Sequence, residues 1–222
     1  LYYVGMKWSD ADGVALVGAL RAAHERGGLQ QLETLDLGSN RMGDETAAAL
    51  ASLVEAGAMP KLNALGLDGN QMGDETAAAL AALLEAGAMP KLKRLWLSSN
   101  QIGEAGMAAL ASAVRGGALP SCEGIALGGN PGSAAPVQEA LAQRHLEQLR
   151  SGGAAAKAGQ LSFDTLEWSD ADGVALVGAL RAAHARGGLQ QLEELYLHRN
   201  RMGDETAAAL ASLLEAGAMP KL

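Results

Sequence analysis

Leu32-Glu-Thr-Leu-Asp-Leu-Gly-Ser-Asn40 recurs as Leu62-Asn-Ala-Leu-Gly-Leu-Asp-Gly-Asn70 and again as Leu92-Lys-Arg-Leu-Trp-Leu-Ser-Ser-Asn100. A fourth version runs from Cys122 through Ile125 and Leu127 to Asn130, so the asparagines fall 30 residues apart. Between the first two copies, Leu32 to Lys61 and Leu62 to Lys91, 22 of 30 positions are identical. Self-similarity at this period is the signature of a repeat architecture, in which each unit contacts only its neighbours.

A longer period lies over the short one. Trp8 to Leu62 returns as Trp168 to Leu222 with six differences in 55 residues. The offset of 160 is filled by repeats of 31, 30, 30, 30 and 39 residues. Leu1 to Gln31 then forms a first, irregular repeat framed by Leu1, Val4 and Met6, with its counterpart starting at Leu161. The expected organisation is an array over 1–150, with repeats starting near 1, 32, 62, 92 and 122. An insertion or linker follows over 151–160 (Ser-Gly-Gly-Ala-Ala-Ala-Lys-Ala-Gly-Gln), which by composition reads as flexible. Residues 161–222, with repeats starting near 161 and 192, begin a second array or continue the first.

Within one repeat the alternation at Leu35 and Leu37 marks a short strand with one buried face. Gly43 to Gly57 reads as a helix, with Asp44 and Glu45 at its positive end and Gly57 placed to stop it. Pro60 cannot continue a helix and hands over to the next strand. Met42, Leu50 and Leu53 are expected to face the strand leucines, and Glu45 and Glu55 to face water.

One strand and one helix cannot bury both apolar faces alone, so the copies must stack. Parallel strands stack at roughly 4.8 Å, whereas packed helices need about 8–10 Å. The mismatch predicts an α/β solenoid, a horseshoe with a parallel inner sheet and outer helices. Asn40, Asn70, Asn100, Asn130 and Asn200 are expected to form a structural ladder, their amides satisfying loop backbone between repeats. They carry no catalytic role.

The pattern Leu-x-x-Leu-x-Leu-x-x-Asn followed by a Gly-Asp-Glu-Thr-Ala-Ala-Ala-Leu helix resembles the ribonuclease-inhibitor type of leucine-rich repeat. That type also occurs in NOD-like receptors and in the activating protein for the GTPase Ran. The resemblance implies a non-catalytic protein-binding module that takes its partner on the concave sheet. It also makes Gly129 to Pro136, with the helix expected over Val137 to Arg150, look like an array-closing repeat. A second reading is a structural subunit or scaffold held in a large multiprotein assembly. A remote third is a GTPase-activating or other regulatory protein, although the acidic tail of the Ran activators has no counterpart here.

The differences between copies point to where binding would occur. Of the six in the long duplication, Thr34/Glu194, Asp36/Tyr196, Gly38/His198 and Ser39/Arg199 lie on exposed strand positions or the loop just beyond. The adjacent copies diverge at the same places, at Glu33/Asn63, Thr34/Ala64, Asp36/Gly66, Gly38/Asp68 and Ser39/Gly69. Packing positions repeat while one face varies, which is the pattern of a diversified recognition surface. The candidate binding residues are Thr34, Asp36, Ser39, Asp68, Arg94, Trp96, Ser98 and Ser99, with Glu194, Tyr196, His198 and Arg199. Trp96 with Arg94 is the expected anchor, because Trp and Arg are enriched among interface hot spots. Gly124, Ala126, Gly128 and Gly129 leave the fourth repeat nearly bare.

Other features constrain function by exclusion. The net charge is −8 and no basic stripe exists to neutralise phosphates, so no nucleic-acid partner is expected. No apolar run reaches membrane-spanning length, so no direct membrane insertion is expected. Trp-Ser-Asp-Ala-Asp-Gly, at Trp8 and Trp168, lacks the distal Glu of a calcium loop and reads as helix entry with Asp as cap. His24 and His184 have no second ligand at metal spacing, and Gly128-Gly-Asn-Pro-Gly132 lacks the Lys-Ser/Thr end of a phosphate loop. No cofactor, metal or catalytic residue is expected. Cys122, the one cysteine, occupies a leucine position and fits a reducing, intracellular compartment, cytoplasmic or organellar. The chain opens on Leu1 and is expected to be a fragment of a longer one.

Overall fold

The computed structural model describes residues 1–164 and 166–222. The elements alternate along the chain: α1 (Asp10–Glu25), β1 (Thr34–Asp36), α2 (Asp44–Glu55), β2 (Ala64–Gly66), α3 (Asp74–Glu85), β3 (Arg94–Trp96), α4 (Glu104–Arg115) and β4 (Gly124–Ala126). Then come α5 (Ala135–Ser151), a 3₁₀ turn at Ala154–Lys157, β5 (Gln160–Ser162), α6 (Asp170–Ala185), β6 (Glu194–Tyr196) and α7 (Asp204–Glu215). The chain divides into two compact units, Leu1–Val137 and Gln138–Leu222, with the boundary inside α5.

In the first unit β1 to β4 form a four-stranded sheet in sequence order, every pair parallel. Leu35 stands opposite Leu65, Leu65 opposite Leu95 and Leu95 opposite Ile125. Repeats of one length thus keep the inward row aliphatic throughout. Leu35, Leu37, Met42, Leu50 and Leu53 are buried together with their counterparts in the next repeats, while Glu45 and Glu55 are exposed. Each fully buried leucine contributes about 1.5–3 kcal/mol relative to exposure, so the stacked rows carry the stability of the unit.

The first repeat departs from the frame expected for it. Tyr2 bridges to Asp36, which places Leu1 beside Leu35 and Tyr3 beside Leu37. Val4 and Met6 are 48% and 52% exposed and frame nothing. The reason is length: α1 has 16 residues and α2 has 12, so the first repeat is longer by about a turn and its strand register slides accordingly. The second unit repeats this arrangement. Leu161 pairs with Leu195, and Phe163, not Asp164, takes the next inward place at 1% exposure.

The second unit holds a two-stranded parallel sheet of β5 and β6. The segment read as flexible is packed: Ala155, Ala156 and Ala158 lie in the same apolar cluster as Leu146, Leu149, Leu161, Phe163 and Trp168. Its alanines are small enough to sit against α6, and the 3₁₀ turn satisfies backbone groups locally, with the Ala156 N–H donating to Gly153 O. His145 meets Phe163 edge-on at 5.9 Å, and the Trp168 indole N–H donates to Glu139 at 3.2 Å.

The asparagine side chains tie neighbouring repeats together. Asn70 Oδ1 accepts from the Met42 N–H at 3.0 Å, and its amide donates to Leu37 O and Leu67 O at 3.0 and 3.1 Å. Asn100 and Asn130 repeat this on Met72 and Ile102. Asn40 serves Trp8 N–H and Tyr3 O, and Asn200 serves Trp168 N–H and Phe163 O.

A second ladder runs along the helix starts. Asp44 Oδ1 accepts from the Gly73 and Thr76 N–H groups and from the Thr76 hydroxyl. Asp10, Asp74 and Asp170 do the equivalent for α2, α4 and α7. These carboxylates therefore cap the following helix rather than only favouring the dipole of their own. At the start of α1 the cap is Ser9 and not an aspartate, in a reciprocal box with Asp12.

Candidate protein-binding interface

Because side chains alternate along a strand, burying Leu35, Leu65, Leu95 and Ile125 turns the flanking residues outward. In the first unit this sets up two rows, Thr34, Ala64, Arg94, Gly124 and Asp36, Gly66, Trp96, Ala126. Gly38, Asp68, Ser98 and Gly128 continue the face into the loops, where the Ser39 N–H donates to Asp68 O and the Ser99 N–H to Gly128 O.

The structure brings Asp36 beside Trp96 over one glycine and beside Asp68 over another. Gly66 lies between Asp36 and Trp96, and a Cβ there would stand 2.6 Å from Asp36 Oδ1 and 3.3 Å from Trp96 Cε3. A Cβ on Gly38 would meet Asp68 Oδ1 at 3.0 Å and Asp36 Oδ1 at 3.2 Å. Both glycines are thus covered by neighbouring side chains, which is why Gly38 and Gly66 are buried although they lie on the outward face. The Gly38 N–H donates to Asp36 Oδ1 at 3.0 Å and fixes that carboxylate over the sheet.

Arg94 is directed elsewhere. Its Nε lies 3.9 Å from Glu123, which also takes the Lys93 ammonium at 3.0 Å. Glu123 is buried and was not among the expected site residues. The register offers a signal for it, since Glu33, Asn63, Lys93 and Glu123 share one row, in which Lys93 and Glu123 are neighbours of opposite charge. Thr34 is half-buried, two strands from Arg94 with Ala64 between them. Ser39 and Ser99 stand in the loop with positive φ, 57° and 55°, where the copies between and after them have Gly69 and Gly129. Ser98 is half-buried beside them.

In the second unit Glu194 and Tyr196 face outward on β6, with His198 and Arg199 just beyond. Tyr196 and His198 meet edge-on at 6.3 Å, and His198 Nε2 lies 3.4 Å from Asp164, which also accepts from the Ser162 hydroxyl. A hydrogen bond to Glu194 and the charges of Glu194 and Asp164 push the Tyr196 hydroxyl above its ordinary value of 10.0. Ser162 and Asp164 escaped the sequence reading because they precede the duplicated 55 residues, so no copy exposes them as variable. Arg199 holds the positive-φ loop position at 58°.

Asn40, Asn70 and Asn100 are buried and Asn130 and Asn200 half-buried, all beneath these loops. Among the described residues no cluster of His, Cys, Asp and Glu is placed to hold a metal ion, and no helix is long and apolar enough to cross a membrane. His24 and His184 lie at matching places in α1 and α6, each with a buried Nδ1 that has no hydrogen-bond partner, consistent with packing.

A family model for leucine-rich repeats matches residues 29–51 and 88–111. Both matches span a strand, its asparagine loop and the start of the next helix. The chain carries leucine-rich repeats. Its stacked parallel strands and returning helices form the α/β solenoid of that family, and leucine-rich repeats generally mediate protein–protein contact. No curated protein matched the chain in a sequence comparison.

Proposed function

We propose that this leucine-rich-repeat chain is a non-catalytic module that binds a protein partner on its exposed strand face, with Trp96 as the central anchor. The observation that carries the reading is Trp96 itself. A large, half-buried indole lies on the sheet face against a glycine, with the Asp36 carboxylate on the far side of that glycine. Aromatic side chains so placed are costly to leave in water and dominate interface energetics when covered.

The divergence between internal copies supports the same face. The helices of the two long copies are nearly identical, while Asp36 becomes Tyr196, Gly38 becomes His198 and Ser39 becomes Arg199. A surface that mattered only for packing would not gather four of the six changes on the strand side. The ribonuclease-inhibitor-like character of the repeats fits this mode of binding.

A photo-cross-linking side chain placed at position 96, compared with one at Glu55 on the exposed helix side, tests the proposal. Partner captured from position 96 and not from position 55 supports it. Capture from position 55 alone moves the interface to the helices and favours the scaffold reading.

A further inference from the structure

The reading of the strand face as a docking surface says nothing about what the partner must offer, but the charges around Trp96 do. We infer that the partner presents an arginine side chain, which lies on the Trp96 ring with its guanidinium turned to Asp36 and Asp68. This rests on the proposed function above and specifies its chemistry.

Three facts converge. Asp36 and Trp96 approach each other over Gly66 closely enough that a single methyl group would strike the carboxylate at 2.6 Å and touch the ring at 3.3 Å. Asp36 and Asp68 approach each other over Gly38, with both Oδ1 atoms within 3.2 Å of one point. Two carboxylates and an indole therefore border one patch of sheet whose floor is two glycines.

The patch lacks a counter-charge. Among the described residues neither Asp36 nor Asp68 is paired with a cation, and Lys93 and Arg94, at the start of the strand that carries Trp96, are drawn to Glu123. Like charges at this spacing repel, and the Gly38 N–H prevents Asp36 from swinging away. The repulsion is relieved by a cation from outside.

A guanidinium suits the patch better than an ammonium. It is planar, it presents several N–H donors in a fixed fork, and it is weakly hydrated enough to stack on an indole. One flat group can thus meet the ring through its face and the carboxylates through its edge. A partner with only an apolar side chain would cover Trp96 but leave two carboxylates desolvated and unpaired, at considerable cost.

The test uses the intact chain and random peptides displayed on phage, retaining binders that the W96A variant no longer holds. The expected result is an arginine enriched at one place in those peptides. Replacing it by citrulline, its neutral isostere, then weakens binding about tenfold or more. In the D36N/D68N double variant the arginine peptide loses a similar factor, and the citrulline peptide binds as it does to the unaltered chain. Asparagine keeps the acceptor for Gly38 N–H, so these substitutions leave the fold in place. Enrichment in lysine at that place overturns the choice of arginine. Binders that depend on Trp96 without any basic residue overturn the slot and leave the strand-face reading intact. If W96A changes nothing, or no peptide binds, both fall.

Discussion

Asp10, at the start of α1, takes three hydrogen bonds toward Thr46 in the next helix: the Thr46 hydroxyl at 2.5 Å, the Thr46 N–H at 2.8 Å and the Gly43 N–H at 2.9 Å. Thr46 is fully buried, so the pair joins two repeats through a polar contact inside an apolar stack. Thr46→Val keeps the shape and removes the hydroxyl. A hydrogen bond to a charged group contributes about 1.5–3 kcal/mol, so the variant is expected to lose about 1.5 kcal/mol in urea denaturation. No change would mean that the backbone donors alone hold Asp10.

Gly13 faces the same threonine. A Cβ there would lie 2.2 Å from Thr46 Oγ1, which Asp10 keeps from moving. Gly13→Ala is expected to cost about 2 kcal/mol by overpacking. Gly18→Ala, on the same helix with open space around its Cβ position, is expected to stabilise slightly. Equal effects at the two positions would refute the contact.

Acid should loosen the stack. Burial alone would raise the Asp10 carboxyl, but donation from Thr46, Gly43 and Glu45 outweighs it and holds Asp10 below the ordinary 3.8. Thr206 lowers Asp170, and Ser9 and Ser169 lower Asp12 and Asp172. These groups bind protons less readily folded than unfolded, so the unfolded chain gains protons first as pH falls. Their contribution is present above 3.8 and is lost as pH drops through the depressed folded values. Urea midpoints should hold steady down to about pH 5 and fall steeply below about pH 4. A flat profile to about pH 3 would contradict the capping ladder.

The asparagine ladder predicts a gradient along the array. Asn100 is 2% exposed and satisfies Met72 N–H, Leu67 O and Leu97 O. Asn100→Ala leaves those buried groups unpaired and is expected to cost about 3 kcal/mol. Asn130 makes similar bonds in a half-buried setting, where water can replace them, and Asn130→Ala should cost about half as much. Equal losses would show that burial does not set the cost.

Much of this was legible from residue spacing. An invariant 30-residue period forces Leu35, Leu65 and Leu95 into one row, because any other register would expose half of them. The first repeat was misframed because a helix longer by about a turn slides the strand without altering the leucine-like pattern that Leu1, Val4 and Met6 present. The alanines of 151–160 looked like linker because composition carries no record of what a small side chain packs against. At the candidate site, variability located the strand face, and Trp96 stands on it. Spacing could not show that Arg94 turns to Glu123, or that Asp36 meets the indole over Gly66 and Asp68 over Gly38. Those depend on side-chain geometry across three strands.

The central claim is that partner binding is carried by the exposed strand face around Trp96. The direct measurement is the partner affinity of the W96A/R94A double variant beside that of E45K/E55K, which alters only the exposed helix side. The account predicts a loss of about 2 kcal/mol or more for the first and a change within about 0.5 kcal/mol for the second. The reverse, an unaltered W96A/R94A and a weakened E45K/E55K, would contradict it.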